Sequence, residues 1–256
     1  MLYAFITAML TAVSCTNDIP ANVTGDTSGN TSEDTSEDTS EGTSGSGSGD
    51  LSGNSGKISI VASVASQTRT PQLGSDGSGS FEKGDKMTLC ITGGAAPVVT
   101  DYAYEVDFLQ WPDFGLSEDV SQVTFSACYP TQKVEQDGTF EFNSFNSSYD
   151  DLLLAAAQPV EVGTSEAVSL TFRHALHRLN LEIQPGKGYT EDDLSQLSCT
   201  FSAKTTCVVD AVKGSVKEVK DEQGSLTVTG AKASFYLVPQ ATDGISFTLT
   251  LGGETK

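Results

Sequence analysis

Basic residues are scarce. Of 256 residues only 14 are Lys or Arg, against 34 Asp or Glu, which leaves a formal net charge of -20 and a pI near 4.2. That deficit argues against nucleic acid as a partner and against direct adsorption to anionic lipid, both of which select positive stripes. It is sharpest at the start, where no Lys or Arg precedes Lys57. Histidine is rarer still: a Ser-His-Asp or Cys-His site would have to use His174 or His177, and no GxSxG elbow marks a nucleophile. On a helix that i, i+3 pair would share a face and could bind a metal; on a strand the two point to opposite faces, and a structural role beside a bulge is the expectation. CxxC and Cys/His spacings of zinc sites are missing. The 137–151 stretch lacks the alternating ligands of an EF-hand. The acidic run Glu191-Asp192-Asp193 follows Thr190, a pattern that N-caps a helical turn without any catalysis. The expectation is a protein with no catalytic residue, no metal and no cofactor.

What is present first is an uncharged apolar opening. Residues 1–14, MLYAFITAMLTAVS, suit the core of a signal peptide and are too short to span a bilayer core of about 30 Å. Ala12-Val13-Ser14-Cys15 resembles the lipobox of bacterial lipoprotein precursors, which makes Cys15 the expected lipid attachment point and mature N-terminus. The positive residues that normally precede such a core are absent. Residues 15–56 follow as a Ser/Thr/Gly/Asp/Glu-rich tether with a degenerate TSED repeat, unable to bury enough surface to offset chain entropy. As a flexible coil it spans about 35 Å, and its charge of one sign extends it further. Cys90, Cys128, Cys199 and Cys207 remain, and in an exported chain they could oxidise in any of three pairings.

After Gly56 the hydrophobic period changes to two. Ile58, Ile60, Ala62 and Val64 alternate with small or polar residues, as do Met87, Leu89 and Ile91, then Val123, Phe125, Ala127 and Tyr129. Val168–Phe172, Leu226–Val228, Phe235–Leu237 and Ile245–Leu251 repeat the pattern. Short strands separated by Gly, Asp, Asn and Pro read as an all-β sandwich architecture, with room for two sandwiches in about 200 residues. One segment resists: in VSLTFRHALHRLNLEI the inward set Val168, Leu170, Phe172 slips by one residue before Leu179, Leu181, Ile183. A β-bulge near His177 and Arg178 or a short helical turn would both absorb the slip. Aromatic residues gather in YAYEVDFLQWPDFG, and Tyr102, Tyr104 and Trp111 are the candidate binding surface for glycans or host proteins.

Several motifs in order carry a family resemblance. DDLLLA (150–155), VSLTFRHALHRLNLEIQPG (168–186) and FYLVPQ (235–240), preceded by QTRTPQL, FEKGDKMTL and VTFSACYP, resemble the fimbrillin-like (Mfa-like) fimbrial subunits and surface lipoproteins of bacteria. The resemblance implies two transthyretin-like β-sandwiches in tandem, 57–165 and 166–256, with 168–183 a bulged strand. Relatives continue past the position of Lys256, so the second sandwich is expected to be incomplete, with Leu249 and Leu251 on an unfinished sheet. It also implies an outer-membrane lipoprotein or fimbrium at the cell surface, partnered by other fimbrial subunits through donor-strand exchange. In that family an Arg- or Lys-specific protease removes an N-terminal segment. Here Lys57 and Arg69 are the first sites available, and a cut after Arg69 would release the Ile58–Val64 strand. Shaft, tip and anchor roles stay open, as does a non-polymerising adhesin.

Overall fold

The computed structural model describes residues 7–13, 56–65, 81–146, 151–252 and 254–255, with backbone alone for 7–13 and 254–255. The expected cleavage point and lipid site at Cys15, the tether up to Ser55, and Arg69 lie outside the described residues.

The protein is all-β. Among the described residues the helical elements are one turn, Glu191–Leu194, and two 3-10 segments, Trp111–Phe114 and Thr242–Gly244. The one α-helical turn is built as its sequence implies: Thr190 caps it, its hydroxyl accepting from the Asp193 amide while the Asp193 carboxylate accepts from the Thr190 amide. Among the described residues no helix is long and apolar enough to cross a membrane.

A six-stranded sheet dominates the first half, in the spatial order Ile60–Val64, Val168–His174, Leu153–Glu161, Gln122–Tyr129, Lys86–Thr92, Val98–Ala103. Every pairing in it is antiparallel except the first, where Ile60–Val64 runs parallel to Val168–His174. Met87, Leu89, Phe125, Leu170 and Phe172 fill one face, and all are fully buried. The central strand Gln122–Tyr129 is buried on both faces, because its second row, Ser126 and Cys128, packs into another cluster with Cys90, Phe140, Phe142, Cys207 and Val209. Small side chains on that row let a second layer approach. The Ser126 hydroxyl donates to the Ala211 carbonyl at 2.7 Å inside it.

The later strands build smaller sheets. Ser198–Lys204 pairs on one side with Gln223–Thr229 and on the other with Ser246–Leu251, and His177–Gln184 pairs with Lys232–Leu237. Their core holds Leu179, Leu181, Ile183, Leu197, Phe201 and Phe235, with the Phe201 and Phe235 rings stacked at 4.4 Å. Leu249, expected on an unfinished sheet, is buried there, and Leu251 is half-buried. The outer face of Ser198–Lys204 and its two neighbours is a grid of hydroxyls: Thr229, Ser198 and Thr250 in one row, Thr227, Thr200 and Thr248 in the next, Ser225, Ser202 and Ser246 in the third. Thr200 and Thr227 hydrogen bond at 3.0 Å and Ser202 and Ser225 at 2.6 Å.

The halves are stitched by strand pairing. Thr139–Asn143 pairs with Thr206–Asp210, and Val168–His174, which follows the expected boundary at 165/166, hydrogen bonds within the first sheet.

The phase slip in 168–183 has a different cause from the bulge that the resemblance implied. Val168–His174 and His177–Gln184 are separate strands in separate sheets, and residues 175–176 carry the chain from one to the other. Leu176 is buried at this crossing, in the cluster between the halves. A change of sheet resets which side is inward, so the hydrophobic period restarts there.

Candidate functional site

The chemistry-bearing residues are dispersed. His174 Nδ1 meets Asp151 Oδ2, a partly buried pair that joins the ends of two neighbouring strands, and the other oxygen of Asp151 accepts from the Leu152 amide at 2.8 Å. His177 sits on the next strand in another sheet, where burial lowers its pKa. Among the described residues no group of three His, Cys, Asp or Glu side chains could hold a metal ion. The carboxylates Glu135, Asp137 and Glu141 line an open depression, yet Glu135 and Glu141 are each paired with a lysine, Lys133 and Lys220.

All four described cysteines are free and buried. Burial pushes the Cys90 thiol up to about 11, helped by Asp210, and the Cys128 and Cys207 thiols up to about 12. Burial also raises Cys199. Thiols held neutral in this way are poor nucleophiles.

The aromatic surface expected at Tyr102, Tyr104 and Trp111 is a correction. Tyr102 is 4% exposed and Trp111 is 8% exposed; Tyr104 is half-buried against Phe81, with ring centroids 6.0 Å apart. The 3-10 turn Trp111–Phe114 puts Trp111 and Phe114 edge-on to one another and to Phe125 in the first core, so these rings pack. Phe108, from the same cluster, is the exposed one at 69%, and the Lys57 ammonium lies 4.4 Å from its ring centroid.

What the fold does assemble is a covered sheet edge. Ile58 and Ile60 are buried in the first core, Ala62 and Val64 are half-buried, and Val61 faces out. The parallel register sets Ile60 beside Val168 and Val64 beside Phe172. The Val168 amide donates to Ser59 O and the Ala65 amide to Phe172 O, both at 2.8 Å. Lys57–Ile58 pairs antiparallel with Leu109–Gln110, and the Trp111 amide donates to Gly56 O at 2.8 Å. The peptide bond after Lys57 therefore sits inside a ladder, unlike the loose extended segment a protease grips.

A second edge lies close by in sequence. His177–Gln184 is bordered by Lys232–Leu237 on one side and by Thr7–Val13 on the other, the latter antiparallel from Thr7 opposite Gln184 to Val13 opposite Arg178. Sequence reasoning missed both the parallel polarity at 60–64 and this placement of 7–13. The first leaves no local trace in residue type, and the second segment reads as a leader on hydropathy alone.

The motifs that carried the resemblance have structural work in common. Leu152, Leu154 and Ala155 are core, Asp151 holds His174, and Gln240 accepts from the Lys204 amide at 3.0 Å while donating to the Lys204 carbonyl at 2.9 Å.

A solved candidate cell adhesion protein from Bacteroides uniformis ATCC 8492 superposes on this fold with a TM-score of 0.51 at 18% identity, covering 78% of this chain and 82% of its own. Similar candidate cell adhesion proteins come from Bacteroides thetaiotaomicron VPI-5482 (TM-score 0.48, 20% identity, 78% and 84% covered) and Bacteroides ovatus ATCC 8483 (0.48, 13%, 79% and 85%). No curated protein matches the chain. The fimbrillin-like family model matches residues 68–256, and the chain belongs to the fimbrillin-like family.

Proposed function

We propose that the protein is a structural subunit of a bacterial surface fimbria, exported as a lipoprotein through Cys15 and assembled by donor-strand exchange. Membership of the family makes it a fimbrial or adhesion-related cell-surface protein that works with other fimbrial subunits, and a structural protein in place of an enzyme. The finer reading rests on one observation: Ile60–Val64 is the parallel edge of an otherwise antiparallel sheet. Parallel pairs are slightly less stable per residue than antiparallel ones, so an incoming antiparallel strand can replace this segment with a gain in ladder geometry while refilling the same apolar row. The row vacated by Ile60, Ala62 and Val64 lies beside Val168, Leu170 and Phe172, whose exposure as an open edge would be costly. In this reading the body is two transthyretin-like sandwiches, 57–165 and 166–256, and cleavage after Arg69, not after Lys57, releases the whole chain up to Arg69, the Ile60–Val64 strand included.

Intact mass and N-terminal sequencing of surface-extracted filaments test it. Filament subunits beginning at Thr70 are the expected result; material beginning at Cys15 alone would sink the processing step.

A non-polymerising adhesin is the second reading, and the exposed Phe108 beside Val106 is what favours it. Phe108→Ser would then abolish ligand capture by a monomer and would leave filaments untouched.

A further inference from the structure

Val168–His174 and His177–Gln184 are consecutive strands, and each has its outer side covered by a segment from the first quarter of the chain. The two coverings differ in polarity and in origin. Ile60–Val64 lies parallel on the first, and Thr7–Val13 lies antiparallel on the second. A cut anywhere between them removes the antiparallel covering and leaves the parallel one in place.

The second edge has the features of an acceptor. Its inward residues Leu179, Leu181 and Ile183 are each no more than 4% exposed, and seven residue pairs tie it to Thr7–Val13. The register places Ala12 opposite Leu179, Leu10 opposite Leu181 and Ala8 opposite Ile183. The strand TAMLTAV carries no charge, so its register positions opposite Arg178, Asn180, Glu182 and Gln184 are taken by Val13, Thr11, Met9 and Thr7. A strand edge carrying apolar residues pairs with another chain when left bare, and proteins keep such edges covered.

Resting on the fimbrial reading above, we propose that His177–Gln184 is a second acceptor edge, distinct from Val168–His174. It is closed in the unprocessed chain by Thr7–Val13, and loss of that segment opens it to another subunit. Its partner is an uncharged antiparallel strand whose positions opposite Leu179, Leu181 and Ile183 read small, large, small. The two edges therefore open at different steps: loss of the leader bares His177–Gln184, while Ile60–Val64 still closes the first sheet. An anchored, uncut subunit can accept one strand but not two.

Full-length chain tests this in two ways. Thr11 and Asn180 stand opposite one another, and opposed antiparallel Cα atoms lie about 4.5–5.5 Å apart, within the range a disulfide bridges. Oxidation of Thr11→Cys/Asn180→Cys is expected to give a crosslink identifiable by peptide mass spectrometry, and the offset pair Thr11→Cys/Gln184→Cys is not. Equal yields from both pairs overturn the placement. Fluorescently labelled TAMLTAV peptide is then offered to full-length chain and to its Leu10→Arg variant. The variant is expected to capture one peptide per chain and the parent none, with capture lost again in Leu10→Arg/Leu181→Arg. A correctly crosslinked chain whose Leu10→Arg variant captures no peptide overturns the acceptor role. Filaments formed equally well by Thr11→Cys/Asn180→Cys subunits in their crosslinked state would overturn this inference alone, and the fimbrial reading would stand.

Discussion

The two halves of the molecule close their cores to different degrees. In the first, Phe125 is fully buried and boxed in by Trp111 and Phe114. In the second, Phe201 is equally buried, yet the residues opposite it on both neighbouring strands, Leu226 and Phe247, are 39% and 37% exposed. Directly opposed residues of an antiparallel pair share a face, so these two lie at the margins of the core side of their sheet. The strand count of a sandwich thus matters less than whether its opposing layer reaches the outer strands.

Thiol chemistry offers the largest expected effect. Native protein should resist alkylation at Cys90, Cys128 and Cys207 by about a thousandfold or more relative to unfolded chain, since reaction has to pass through rare opening. Cys199, in the more open half, should label faster than the other three. Site-resolved mass spectrometry reads the order, and uniform rates would break the comparison.

Core truncation comes next. Phe125→Ala should cost about 3–5 kcal/mol in denaturant unfolding, and Phe247→Ala no more than about 1 kcal/mol because much of its ring is already in water. Equal costs would show the second core to be as closed as the first.

Gly214 sharpens how the halves are joined. Its φ is +64°, and a Cβ there would stand 2.1 Å from the Ala155 carbonyl oxygen, on the strand Leu153–Glu161 of the first sheet. Gly214→Ala should destabilise by about 1–3 kcal/mol from the backbone conformation and the forced displacement. The loss should appear as two separated unfolding transitions if the 210–215 turn couples the halves.

The smallest effect is electrostatic. Burial lowers the pKa of His177, so the unfolded chain holds a proton there that the native chain gives up. Its contribution is complete above the ordinary histidine value near 6.5 and is lost as pH falls below it toward the depressed native value. His177→Gln should flatten the stability difference between about pH 7.5 and 5 relative to the parent, measured by urea midpoints.

Much of this was legible in residue order. Alternation at Met87, Leu89 and Ile91, and at Phe140 and Phe142, marks strands because one pleat face is buried and the other is not. The capping turn at Thr190 was readable for the same local reason. Long-range choices were not. Nothing in IVASV reports that its neighbour runs parallel, and the slip at 174–177 looks identical for a bulge and for a change of sheet. Tyr102 and Trp111 showed that a crowd of aromatic residues in a loop-like stretch marks packing as readily as a surface; the local 3-10 turn decides which.

The hydroxyl grid on Ser198–Lys204 and its two neighbouring strands has a further consequence. Nine Ser and Thr positions in three ranks present neither acid nor base, on a chain with a net charge of -20. Hydroxyl groups of this kind do not titrate in water and salt does not screen them. Whatever the acidity or ionic strength outside the cell, this face keeps the same coat of water, as the surface of a neutral sugar would.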